Sequence, residues 1–81
     1  MVALSETLEL ACQQIRAGQW DQARDLCCQV LKTDPHHSVA FHLLGIISHQ
    51  TGKADIATDL ICRAIDQNPH VPEYYVSLIH I

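Results

Sequence analysis

Residues 38–71 read SVAFHLLGIISHQTGKADIATDLICRAIDQNPHV, and the stretch before them, 4–37, reads LSETLELACQQIRAGQWDQARDLCCQVLKTDPHH. Laid over each other at a shift of 34, they agree at nine positions: Leu10/Leu44, Gly18/Gly52, Asp21/Asp55, Ala23/Ala57, Asp25/Asp59, Leu26/Leu60, Cys28/Cys62, Pro35/Pro69 and His36/His70. Chance matching at average composition gives only about two or three. Three further pairs are similar: Ala11 with Gly45, Leu31 with Ile65, and Asp34 with Asn68. Self-similarity at a fixed period of this size marks a chain built from repeated supersecondary units.

The matches fall at positions with structural meaning. Gly18 and Gly52 lie between two helical patterns, where glycine most easily takes a left-handed conformation. Asp21 and Asp55 are expected just before the second helix of each unit, beside its positive end. Pro35 and Pro69 close each unit because proline cannot continue the helix before it. Between these markers the apolar period is helical. Leu4, Leu8, Ala11, Cys12 and Ile15 recur at spacings of three and four, and Ala23, Leu26, Cys27, Val30 and Leu31 do the same. The pattern predicts helices over 4–16, 21–33, 39–50 and 55–67, with a fifth from about Pro72 to Ile81. The third is apolar almost all round, so it expects cover on several sides. No window alternates as a strand would. The fold class expected is all-α: an α-solenoid of antiparallel helix hairpins, with two full units and one extra helix.

Composition narrows the function classes. The chain has 81 residues, 48% of them apolar and 17% charged, enough for one small folded domain spanning 1–81. Five basic against nine acidic residues give a net charge of −4. That balance argues against a nucleic-acid partner and against an anionic membrane surface. No apolar run approaches the roughly 18 residues of a membrane span. The N-terminal residues carry neither a basic stretch nor an apolar core, so no signal peptide is expected. The four cysteines are then expected as reduced thiols in the cytoplasm.

The combination of Phe41, Leu44-Gly45, Gly52, Ala57, Ile61, Ala64 and Pro69 resembles the tetratricopeptide repeat, a 34-residue helix–turn–helix family. By that likeness 4–37 is the first repeat, 38–71 the second, and 72–81 the first helix of a partial third. The first repeat departs from the pattern at Thr7 and Gln14, which stand in aromatic slots, and the third carries Ile79 where a small residue belongs. Gly45 and Ala57, like Ala11 and Ala23, are expected where the two helices of a unit cross closely.

The resemblance implies a non-catalytic interaction module, with a groove lined by the first helix of each unit that binds a peptide or helix of a partner protein. The groove residues it implies are Leu8, Cys12, Ile15, His42, Ile46, His49, Val76 and His80. Family members that clamp a carboxylate-ended tail use Lys, Arg and Asn on this face. Here the clamp positions hold Leu8, Cys12, His42, Ile46, Val76 and His80, so that clamp is missing. An Asn ladder found in other members is replaced by Glu9, Leu43 and Ser77. The phrasing of the second unit is also similar to amino-terminal repeats of bacterial proteins that continue into a glycosyltransferase domain. Regulatory or substrate-positioning repeats of a larger transferase are therefore the alternative reading. The apolar last helix, with Tyr74, Tyr75, Val76, Leu78, Ile79 and Ile81, predicts self-association in either case.

Neither a metal site, a cofactor nor a catalytic centre is expected. Adjacent Cys27 and Cys28 point about 100° apart on a helix and cannot easily share a zinc ion. Cys27 suits a core position instead. Cys12 and His42 could meet across the groove, but nothing marks a group to orient the base. His42, His49 and His80 could hold a metal or sense pH. The preferred reading is polarity for hydrogen bonds to a bound peptide. His36, His37 and His70 are expected in solvated turns.

Overall fold

A computed structural model describes the backbone of residues 4–80 and the side chains of residues 4–79. The described residues form five helices: α1 (Leu4–Arg16), α2 (Trp20–Thr33), α3 (Ser38–Gln50), α4 (Ala54–Gln67) and α5 (Pro72–His80). No strand occurs among them, and no helix is long and apolar enough to cross a membrane.

The helix boundaries recur at the spacing of the sequence. α1 and α3 each have 13 residues and α2 and α4 each have 14, with starts 34 apart. The turns recur as well. Gly18 and Gly52 have φ of +75° and +82°, the left-handed region. The Gly18 amide donates to the Ile15 carbonyl at 3.0 Å and the Gln19 amide to the Gln14 carbonyl at 2.8 Å. Gly52 to His49 at 3.2 Å and Lys53 to Ser48 at 2.8 Å repeat that pair. Both turns are Schellman motifs, which satisfy carbonyls that a helix end would otherwise leave open. At the far ends of α2 and α4, the Asp34 and Asn68 amides donate to the Val30 and Ala64 carbonyls at 2.8 and 3.0 Å.

α2, α3 and α4 begin one residue earlier than the apolar period indicates. Asp21 and Asp55 therefore lie inside the first turn, not before it, and the N-cap residues Gln19 and Lys53 make no side-chain cap bond. The two aspartates act on the helix ends through charge alone.

α1 packs on α2, α2 on α3, α3 on α4 and α4 on α5, and α1 also touches α3. Leu8, Ala11, Ala23, Cys27, Val30, Ala40, Leu43 and Ile47 form the first core cluster, drawn from three helices. Trp20 is half-buried against it. A second cluster joins Ile61 and Ala64 of α4 to Tyr74 of α5, with Phe41, Ile65, Val71 and Leu78 packed around them. Burying each large aliphatic side chain here contributes about 1.5–3 kcal/mol. α3 has neighbours on several sides, which is why its sequence is apolar nearly all round. Small residues mark the closest approaches: Ala11, Ala23, Ala40, Ala57 and Ala64 are fully buried.

Candidate functional site

The residues expected to line one groove divide into three groups. Leu8 and Cys12 do share a surface. With Ser5, Glu9, Gln13 and Arg16 they line an open depression of about 510 Å³ along α1. Yet Leu8 is only 9% exposed and belongs to the first core cluster, so its main role is to hold α1 on the other helices. Ile15 and Ile46 are half-buried against the same cluster. Leu8 thus belongs both to the lining of the depression and to the core. An apolar residue on the rim of a small core is drawn into it, because burial removes its apolar surface from water.

The second group is exposed. His49, in the last turn of α3, is exposed. Val76 of α5 is 52% exposed, and beside it Tyr75 and Ile79 are 42% and 81% exposed. These three make an apolar face on the last helix. The side chain of His80, expected at the end of this face, lies outside the described residues, as does Ile81.

His42 stands alone in the third group. Its ring lies between α3 and α5, with Nε2 hydrogen bonded to the Ser77 hydroxyl at 2.7 Å. The ring also packs on Tyr74, with centroids 4.7 Å apart and planes tilted by 45°. Burial pushes the His42 imidazole below its ordinary pKa, while the Glu73 carboxylate opposes the shift. A second polar contact lies nearby: the Tyr74 hydroxyl donates to the Ser38 hydroxyl oxygen at 3.1 Å. Neither Ser77 nor Ser38 stands out in the sequence as a partner of these rings. Ser77 follows His42 by 35 residues, one repeat and one position, so that the contact joins equivalent helices of successive units.

Among the described residues, no group of three or more His, Cys, Asp or Glu side chains comes together so that it could hold a metal ion. Cys27 is fully buried, and burial, with the neighbouring Cys28 and Cys12, pushes its thiol up to about 12. A thiol so reluctant to ionise is a poor nucleophile. Cys28 and Cys62 are exposed. His36 and His70 are exposed as turn residues, but His37, the N-cap residue of α3, is half-buried with Nδ1 shielded from solvent.

Comparison of the chain with protein-family models gives no match, and comparison with curated proteins gives none either.

Proposed function

We propose that the chain is a tetratricopeptide-type solenoid. In this reading it is a non-catalytic module that holds a peptide or helix of a partner protein against the face formed by α1, α3 and α5. The observation that carries the reading is the common 34-residue register of helices, Schellman turns and closing prolines. A chain of such units presents the first helix of each unit on one concave side. The α1 depression and the exposed His49 and Val76 supply a surface of mixed apolar and polar character, on which the opposite charges of Glu9 and Arg16 offset each other.

The test is to select peptides against the full chain from a displayed random library. The best binder is then titrated against the chain and against His49→Asp and Val76→Asp. Both positions are exposed, so helicity is expected to stay unchanged while affinity falls at least tenfold in one or both. Unaltered affinity in both variants places binding elsewhere and removes this face from consideration. Leu8→Asp is unsuitable for this purpose because it disrupts the core.

A second reading, self-association, is favoured by the apolar face of α5. Tyr75, Val76 and Ile79 are neighbours on a helix that also packs on α4.

A further inference from the structure

α5 is the shortest helix, nine residues long, and it lies at one end of the packing order. Its apolar hold comes from Tyr74 and Leu78 in the second cluster, against Ile61 and Ala64 of α4 and Phe41 of α3. Its polar hold on α3 runs through two side-chain bonds, His42 to Ser77 and Tyr74 to Ser38. His42 takes part in the docking twice, bonding Ser77 and packing against the ring of Tyr74. The remaining residues of the helix with described side chains, Pro72, Glu73, Tyr75, Val76 and Ile79, are exposed.

We infer that His42 makes the docking of α5 acid-sensitive: protonation of its imidazole releases α5 while α1–α4 stay folded. The neutral ring suits its place, since one nitrogen is bonded to the Ser77 hydroxyl in a half-buried site where a charge is poorly solvated. A protonated ring must donate from both nitrogens and carry a charge in a half-buried site. The one charged group acting on it among the described residues is Glu73 of α5, an exposed carboxylate, with Tyr74 in ring contact. α1, α2 and α4 bring no charge that acts on it.

The direction follows from linkage. Docking depresses the affinity of His42 for a proton, so the released form binds more protons as pH falls through the ordinary histidine range. Docking is at full strength above about pH 6.5. It weakens below that until the docked form also protonates. Each unit by which docking lowers the pKa weakens docking tenfold. The inference stands whether or not the α1–α3–α5 face binds a peptide.

The experiment is a pH titration of the isotope-labelled full chain by NMR, from about pH 7.5 to about 5, a range that spans the ordinary titration of histidine. Backbone amide signals of Tyr74 to Ile79 are expected to move toward unfolded positions with the midpoint of the His42 ring. Signals of α1–α4 should hold their places. His42→Gln keeps a hydrogen-bonding group without a titrating one, and its α5 signals should be indifferent to pH. A His80→Gln chain, which removes the histidine of α5 itself, should behave as the parent does. Ser77→Ala leaves the ring in place and should bring release on at a higher pH. Three results overturn the inference: α5 signals that stay fixed while His42 titrates, equal movement in His42→Gln, or a release point unmoved by Ser77→Ala.

Discussion

Gly45 of α3 lies so close to Ile61 of α4 that a β-carbon at position 45 would stand 2.6 Å from Ile61 Cγ1 and 3.3 Å from the Ala57 carbonyl oxygen. Ile61 is fully buried, and Cγ1 sits near the root of its side chain, so it has little room to yield. Gly45→Ala should gain up to about 1 kcal/mol in helix propensity. Overpacking, at about 1–3 kcal/mol, should outweigh that gain. Thermal melts of Gly45→Ala, Ile61→Ala and the double variant form the check. The glycine substitution should destabilise the parent and cost less, or nothing, in the Ile61→Ala background. Equal costs in both backgrounds would mean that the two helices do not cross at this pair.

Gly18 and Gly52 call for glycine on different grounds. A β-carbon at either would meet nothing within 4 Å, but both have positive φ. Replacing either by Ala should cost about 1–2 kcal/mol from backbone conformation alone. Because the two turns share one hydrogen-bond pattern, the two costs should be nearly equal in urea unfolding. A cost at one site and none at the other would show that the turns are not equivalent.

The thiols should separate by burial. Cys28 and Cys62 are exposed and should react first with an aromatic disulfide reagent at mildly alkaline pH, with half-buried Cys12 behind them. Cys27, raised to about 12 and fully buried, should react only as fast as the protein opens. Mass spectrometry of the labelled peptides reads the order directly, and early labelling of Cys27 would contradict its place in the core.

Ile79 offers a clean probe of self-association, being 81% exposed. Ile79→Asp should leave the melting temperature within a few degrees, as a surface change worth about 0.5 kcal/mol or less. It should nonetheless shift sedimentation toward the monomer at high concentration. If parent and variant sediment alike, the α5 face is not what joins copies of the chain.

The helices were legible in the sequence because glycine and proline punctuate them at fixed intervals. What periodicity could not fix was the first residue of α2, α3 and α4. Trp20, Ser38 and Ala54 stand beside the turns, where a stripe alone does not mark the first helical residue, yet they are helical in the structure. The division of the face into groove and core was also hidden. Leu8 and Ile46 satisfy a helical stripe equally well whether they meet a ligand or a neighbouring helix, and nothing in leucine or isoleucine tells the two apart. His42 stood out as a polar residue on an apolar helix. Its partners did not, because Ser77 and Ser38 are common residues whose relevance appears only when α5 is laid beside α3.

The make-up of the first core cluster bears on how the chain is made. Its walls come from α1, α2 and, through Ala40, Leu43 and Ile47, from α3. A nascent chain that has reached Thr33 contains the residues of two helices, with one apolar side still open. At about 5–20 residues per second, roughly one to three seconds pass before Ile47 is joined. During synthesis the first hairpin thus waits, incomplete, for the helix of the next.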